Sequence, residues 1–247
     1  MHRIFPEPVE DVEVGPLYAA APRPEPPGRP WVMLNMVASA DGAATAEGRS
    51  GGLGSSGDRA AFFALRAAAD VIMAAAGTVR IEGYGPARLN AEAQAERGVR
   101  GQAPLPRIAV VTGSLRLDWD SPLFAESAER PYVITAADAP AEALGRAGAV
   151  AEVIATGDGG RVDLAEALAR LGRAGARLVL CEGGPSLNGA LLRAGLVDEL
   201  NLTLGPALAG GEAIRIVRGE APEEPTPLRL AHVLEEHGSL FLRYVRA

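Results

Sequence analysis

A single cysteine, Cys181, stands in the 247 residues, which excludes an internal disulfide and any cysteine-cluster zinc site. Aromatic residues make up only 4% of the chain, too few for the stacking platform of a single-strand nucleic-acid binder. Positive charge is the minority, 24 basic against 31 acidic residues, for a net −7. A protein that neutralises a phosphate backbone leans the other way, so nucleic acid is not an expected partner. No uninterrupted apolar run approaches about 18 residues, so no spanning helix is predicted. The opening Met1 to Pro8 lacks an apolar stretch of the signal-peptide kind, and a cytoplasmic location is the expectation. His2, His232 and His237 have no metal-ligand spacing, so no metal is expected.

Hydrophobic residues reach 48%, ample for a core. Eight of the 19 prolines fall in the first 30 residues, so this segment can neither build a long helix nor pair centrally in a sheet. Residues 1–29 are therefore expected as an extension on the domain surface or on a partner subunit, anchored by Val9, Val12, Val14 and Leu17. The domain itself is expected over 30–247.

From Trp31 the pattern alternates. Trp31–Val37 reads as a strand closed by Ser39-Ala40-Asp41-Gly42, and a small-residue loop runs from Ala43 to Gly57. Asp58 caps a helix to about Ala69, with Ala61, Phe62, Leu65 and Ala69 on one face. Asp70–Ala75 reads as a buried strand turned into a short helix at Gly77-Thr78. Arg107–Val111, Tyr132–Thr135, Ala151–Ile154 and Arg177–Cys181 read as further strands. Asp163 and Glu166 have capping-box spacing before Leu164, Ala167, Leu168 and Leu171. A helix is expected from about Ser186 to Ala194. Strands then follow without helices, Glu199–Leu204, Leu228–Leu234 and Leu240–Val245, with His237-Gly238 as a hairpin turn. The pattern predicts an α/β fold: a mostly parallel central sheet flanked by helices, finished by a C-terminal antiparallel hairpin at one edge.

Strand, glycine and helix follow one another at Ala76-Gly77-Thr78 and at Glu182-Gly183-Gly184-Pro185-Ser186. Such turns sit at the carboxyl ends of strands in open α/β sheets, where glycine admits an anion close to the backbone and the helix start favours negative charge. A pyrophosphate held between the two is the physical expectation, with plain loop geometry as the bland alternative. Neither a G-x-G-x-x-G fingerprint nor a P-loop is present, and no lysine stands in the glycine turns.

Several motifs occur in one order: Arg29-Pro30-Trp31-Val32, Ser39-Ala40-Asp41-Gly42, Gly48-Arg49-Ser50, Leu65 to Asp70, Ala76 to Arg80, Cys181 to Leu187, and Gly195 to Leu200. The set resembles the reductase domain of the bacterial bifunctional riboflavin-biosynthesis deaminase/reductase and the stand-alone pyrimidine reductases, which have a dihydrofolate-reductase-like fold. The zinc signature of the deaminase partner, His-x-Glu with Pro-Cys-x-x-Cys, is absent. The resemblance implies a homodimer that binds NADPH and reduces 5-amino-6-(5-phosphoribosylamino)uracil to its ribitylamino product. It places Val37, Gly52, Gly77, Thr78, Glu82 and the run Gly183, Gly184, Pro185, Ser186 and Leu187 at the cofactor. Ser114, with Arg116, falls where the family meets the adenosine 2′-phosphate. Asn35, Ser50, Arg66 and Glu182 fall at the substrate, Arg66 suiting its phosphate. Glu182 is the candidate catalytic group, accepting from pyrimidine amino groups. Asp41 either joins it or caps its own turn. Arg66 has the alternative of closing its helix electrostatically.

Two departures from the family pattern stand out. Asn35 replaces a common lysine, and Gly52 replaces a tryptophan. They keep open a paralogous reductase of another pterin-like heterocycle, and a nucleotide-binding module without turnover is the rival from a different class. Asp198-Glu199 reads as a helix-to-strand turn on a dimer-facing surface, and Arg97, Arg100 and Arg107 as solvated loop residues. Cys181 is expected to pack as a small apolar residue.

Overall fold

The computed structural model describes residues 1–45 and 52–247, in two compact units. The first unit comprises Met1–Pro24, Trp31–Ala68 and Leu180–Ala247, and the second comprises Glu25–Pro30 and Ala69–Val179.

The chain opens with β1 (His2–Phe5) and α1 (Val14–Ala19), then β2 (Trp31–Ser39) and α2 (Ser56–Ala68). In the second unit β3 (Val71–Ala75) leads into α3 (Ala76–Glu82), followed by α4 (Ala91–Val99), β4 (Arg107–Val111) and α5 (Pro122–Ala125). Next come β5 (Tyr132–Thr135), α6 (Ala141–Val150), β6 (Glu152–Ala155) and α7 (Leu164–Arg173). The strand β7 (Leu178–Cys181) returns the chain to the first unit, which closes with α8 (Pro185–Arg193), β8 (Glu199–Gly205), β9 (Leu228–Glu236) and β10 (Ser239–Arg246).

In the second unit β3, β4, β5 and β6 pair in that order, all parallel, as strand–helix alternation requires. β3 is buried from Val71 to Ala74, β4 from Ile108 to Val110 and β5 throughout, whereas β6 at the end of the row buries only Ile154. The expected cap on α7 is present: the Asp163 side chain accepts from the Glu166 N–H at 3.0 Å, and Leu164, Ala167, Leu168 and Leu171 face inward. Asp70 pins the amino ends of the strands. Its Oδ2 accepts from the backbone N–H of Arg177 and Leu178 at 2.8 and 2.9 Å, and its Oδ1 from Gln102 Nε2 at 2.7 Å.

Three helices stand where the pattern gave only connections: α4, α5 and α6. The inward anchor of α4 is a charged residue. Arg97, expected in solvent, is 1% exposed and donates to the carbonyls of Ala103 and Ala69 at 2.8 and 2.5 Å. Arg107 likewise stacks over Tyr132 at 3.6 Å and pairs with Glu152 at 2.7 Å. A guanidinium that finds carbonyl acceptors or an aromatic face can be buried, which no apolar period announces.

In the first unit the strand order is β1-β9-β10-β8-β2, antiparallel except for the parallel pair β2 and β8. The α/β class expected from the pattern is borne out, with one correction: β1, not the C-terminal hairpin, is the edge strand. His237 and Gly238 turn the hairpin with φ of 50° and 79°, the left-handed pair that matches strand twist.

The amino-terminal segment is built into its unit rather than laid over it. Its four proposed anchors are at most half-buried, with Val9 41% exposed, and Tyr18 is the residue that enters the core. Beneath Tyr18, Glu199 is wholly buried. It accepts from Arg23 Nε at 2.9 Å, Arg243 Nη2 at 2.9 Å, Trp31 Nε1 at 3.1 Å and Asn201 Nδ2 at 3.0 Å. Burial alone would raise this carboxyl, but the guanidinium groups of Arg23 and Arg243 overrule it and hold it at about 2. Asp198 is buried too and accepts from the Val32 N–H at 2.8 Å. The surface role expected for Asp198-Glu199 is therefore wrong: the pair locks β2, β8 and the amino-terminal segment together.

Candidate active site

In the first unit the site grows from the carboxyl end of β7. Cys181 is buried, and burial pushes its thiol up to about 12, so it packs rather than reacts. Glu182 follows, then Gly183 with φ +88°, a left-handed conformation that suits glycine. The Gly183–Gly184 peptide is cis. Gly184 is the N-cap of α8 and Pro185 its first residue, where the missing N–H removes no helical bond. The N–H groups of Ser186 and Leu187 belong to the first turn, which has no intrahelical acceptors to offer them.

Sequence reasoning passed over what holds this turn in place. Asn188 is wholly buried and donates from Nδ2 to the carbonyl of Ile216 at 2.8 Å and to Met36 Sδ at 3.1 Å, while its Oδ1 accepts from the Cys181 thiol at 3.4 Å. A poor helix former inside a helix was the available signal. Gly189 lets the 206–218 loop approach: a Cβ there would lie 2.0 Å from the Arg218 carbonyl oxygen.

Arg66, in the last turn of α2, reaches Glu182. Its Nε and Nη2 donate to the two carboxylate oxygens, each at 2.7 Å, and its guanidinium lies 4.2 Å from the centre of the Phe62 ring. The fork expected on a phosphate is thus engaged with a carboxylate, and two groups predicted separately at the substrate form one unit. Asn35 and Val37 lie on β2, each half-buried, in register with Asn201 and Thr203 of β8. Gly52 is exposed, and Ser50 lies outside the described residues. Asp41 accepts from Ser39 Oγ at 2.5 Å and from the N–H groups of Ala209 and Gly210 at 3.1 and 2.7 Å. Those bonds, the Ser39 hydroxyl first, hold it at about 2. Of its two readings, they favour the cap, for a carboxyl so engaged is a weak proton carrier near neutral pH.

In the second unit Gly77 and Thr78 open α3, each half-buried, and Glu82 is exposed in its last turn. Nothing lies within 4 Å of a Cβ built on Gly77. After β4 the chain turns sharply: Thr112 Oγ1 accepts from the Leu115 N–H at 3.0 Å, and Leu115 adopts φ 53°. This leaves Ser114 and Arg116 exposed. Arg80 of α3 donates to the Arg116 carbonyl at 2.9 Å, so the helix that carries Thr78 and the turn that carries Ser114 and Arg116 are tied together. A cleft of about 330 Å³ opens beside them, lined by Val79, Arg80, Tyr84, Leu117, Asp118 and Phe124, among others. Among the described residues no cluster of His, Cys, Asp or Glu is arranged to hold a metal ion, and no helix is long and apolar enough to cross a membrane.

Glycine-hinged helix starts at strand ends put the molecule among the α/β proteins whose ligand chemistry gathers at the carboxyl ends of strands. Residues 30–239 match the family model of the RibD C-terminal domain, and the chain belongs to that family. The 2,5-diamino-6-ribosylamino-4(3H)-pyrimidinone 5′-phosphate reductase of Archaeoglobus fulgidus is 33% identical over 184 residues, covering 74% of this chain and 83% of that protein. The reductase of the same name from Aquifex aeolicus is 32% identical over 159 residues, covering 63% and 66%. A crystal structure of a pyrimidine reductase-like protein from Corynebacterium diphtheriae superposes with a TM-score of 0.84 at 28% identity, covering 96% of this chain and 99% of that one. The first two relatives are thus named as reductases of a phosphorylated pyrimidine.

Proposed function

We propose that this protein is an NADPH-dependent reductase of a ribosylamino-pyrimidine 5′-phosphate in riboflavin biosynthesis. It acts as a homodimer in the cytoplasm, with no nucleic-acid or membrane partner. Residues 30–247 form the reductase domain, and residues 1–29 an extension fastened to it through Arg23. The observation that carries the reading is the Arg66–Glu182 pair beside the glycine turn that opens α8, in a chain of this family.

The donors present suit a nicotinamide dinucleotide. The first turn of α8, reached over two glycines, offers N–H groups to a diphosphate, with Pro185, Ser186 and Leu187 along it. Within the second unit, Arg116, exposed beside Ser114, is a cation suited to a 2′-phosphate, and Gly77, Thr78 and Glu82 on α3 are that unit's other proposed cofactor residues. Val37 and Gly52 are two further cofactor-lining positions of this reading. Bound NADPH would supply the two electrons and the hydrogen that the ribose carbon receives. What the chain contributes is orientation. Arg66 holds Glu182 by both oxygens, so that Glu182 faces the pyrimidine amino groups in one fixed pose, while Asn35, Arg66 and Ser50 meet the rest of the substrate.

The test mixes purified protein and NADPH with either the diaminopyrimidinone or the aminouracil ribosylamino phosphate and follows loss of nicotinamide absorbance. Oxidation with one of them is expected, and the preferred one tells whether deamination comes before reduction. Absence of oxidation with both, NADPH binding intact, would overturn the substrate assignment. Arg116→Ala should weaken NADPH more than NADH; equal losses would refute its placement. Asn35 and Gly52, where the family pattern carries lysine and tryptophan, favour one second reading, a reductase of a different heterocycle. Under it, Asn35→Lys raises turnover of the riboflavin precursors, and an unchanged rate removes Asn35 as the discriminator.

A further inference from the structure

After β8 the chain runs through the 206–218 loop, which has little burial to hold it in place. Residues 206–215 are all exposed, and only Ile216 and Val217 are half-buried. Among the described residues, what holds the loop is polar and sits at its two ends. At the β2 end, the Asp41 carboxylate accepts from the N–H groups of Ala209 and Gly210. Beside it the Ala40 N–H donates to the Ala207 carbonyl and the Ala44 N–H to the Ile214 carbonyl, both at 2.9 Å. At the α8 end, the Ile216 carbonyl accepts from Asn188 Nδ2 at 2.8 Å, and the Arg218 N–H donates to the Pro185 carbonyl at 3.0 Å.

The two ends differ in stiffness. At α8 the backbone lies directly on the helix, where a Cβ on Gly189 would stand 2.0 Å from the Arg218 carbonyl oxygen. The β2 end contains Gly210 and Gly211, at φ 63° and 68°, a pair that can leave this conformation at little cost. Asp41 grips that pair by charge-assisted bonds, roughly twice as strong as neutral ones. Ser39 Oγ donates to the same carboxylate at 2.5 Å and accepts from the Ala43 N–H at 3.0 Å, so the turn after β2 and the loop share one cluster of bonds. Asn188, wholly buried in α8, divides its amide between Ile216 and Met36. A shift of Ile216 therefore reaches the start of α8 through a single side chain.

We propose that Asp41 is a positioning residue for the cofactor: it clamps the 206–218 loop to the exit of β2, and the loop acts as a strap that fixes the first turn of α8. The inference rests on the NADPH reading above, which puts the diphosphate at that turn, and adds a residue that touches no part of the nucleotide. Asp41 works as an acceptor, not as an acid. The Ser39 hydroxyl first, then the two N–H groups, hold it at about 2, so it is ionised at neutral pH. A strap of this kind leaves the first-turn N–H groups of Ser186 and Leu187 open while it holds their helix still. Donors ordered in advance lose less freedom when a ligand arrives, and affinity gains by that difference.

Hydrogen exchange of the intact protein, with no nucleotide added, reads the strap directly. The Asn188 and Arg218 amides bond to the carbonyls of Gly184 and Pro185, away from Asp41. Asp41→Ala should nevertheless speed their exchange about tenfold, and Asp41→Asn, which keeps one carbonyl acceptor, about threefold. Faster exchange confined to Ala209 and Gly210, or none at all, would refute the strap. Should Asp41→Ala fail to fold, Asp41→Asn decides, and wild-type exchange at Asn188 and Arg218 is then the refuting result. NADPH binding reads the consequence: Asp41→Ala should weaken it about tenfold and leave turnover at saturating NADPH within about twofold. Two glycines inserted after Arg215 slacken the strap and should weaken binding as much, and Asp41→Ala should then add nothing. An undiminished loss in the lengthened chain would mean that Asp41 meets the nucleotide itself, which overturns the proposal. A wild type that binds no nicotinamide nucleotide ends the reductase reading, and the exchange experiment alone then decides whether loop and helix are coupled.

Discussion

Replacing Glu199 with glutamine should be among the most damaging isosteric changes available to this chain. The carboxylate is wholly buried and serves four donors, two of them guanidinium groups that are themselves nearly buried. Glutamine keeps the volume but leaves Arg23 and Arg243 without a counter-charge, a change that typically costs about 3–5 kcal/mol. The same carboxylate makes stability depend on pH. Its ordinary value of 4.5 is lowered to about 2 in the fold. A depressed carboxyl contributes stability that is fully present above the unfolded value and is lost as pH falls through the folded one. The window is therefore about pH 4.5 down to 2, and the full contribution is roughly 3 kcal/mol. Urea unfolding of wild type and Glu199→Gln at pH 7, and again at pH 3, separates the two effects. The gap between the proteins should be widest at pH 7 and shrink at pH 3, with m-values unchanged. An equal gap at both pH values, or a Glu199→Gln protein within about 0.5 kcal/mol of wild type at pH 7, would refute the assignment of that charge to the core.

Gly189→Ala should push the Arg218 carbonyl off α8 and break the Asn188 bond to Ile216, lowering stability by about 1–3 kcal/mol in thermal unfolding. A wild-type Tm would mean the 206–218 loop does not rest there. Cys181 should resist a thiol-specific disulfide reagent in the native protein at pH 8 and react at once in denaturant. Stoichiometric labelling of the folded protein would show the thiol to be open.

Where residues find their partners nearby, the sequence was a good guide. Asp163 reaches Glu166 three positions on, His237-Gly238 needs only its own dihedrals, and β3, β4 and β5 declare themselves as short apolar runs between turn residues. The glycine turn at Glu182 to Leu187 was legible for the same reason. Long-range partners were not. Glu199 looks like a surface carboxylate until Arg23 and Arg243 arrive from 176 and 44 positions away. Arg66 and Glu182 were placed at the substrate one by one, and nothing local says that residues 116 positions apart hold each other by two bonds. Arg97 was misjudged because its acceptors are backbone carbonyls, which every sequence has and no pattern marks.

The same physics divides each unit into two ends. At the amino ends of the strands, charge is buried and satisfied. Asp70 gathers the starts of β3, β4 and β7, and Arg97 caps the Ala69 carbonyl beside it. In the other unit, Asp198 and Glu199 bind the Val32 N–H and the Trp31 indole where β2 begins. At the carboxyl ends the residues are small or half-open: Gly77 and Thr78 after β3, Ser114 and Arg116 after β4, Gly183 and Gly184 after β7. A buried charge with every bond satisfied holds one geometry and cannot exchange partners without a penalty of several kcal/mol. A glycine turn with first-turn N–H groups exposes donors that a ligand can claim without displacing anything. The strand direction alone sorts these roles, because helix starts follow strands only at their carboxyl ends. An ionisable residue just before a strand in this chain is therefore best read as scaffold. Just after a strand the roles divide: Asp41 caps the turn that follows β2, and Glu182 beside its glycine turn is the one best read as chemistry.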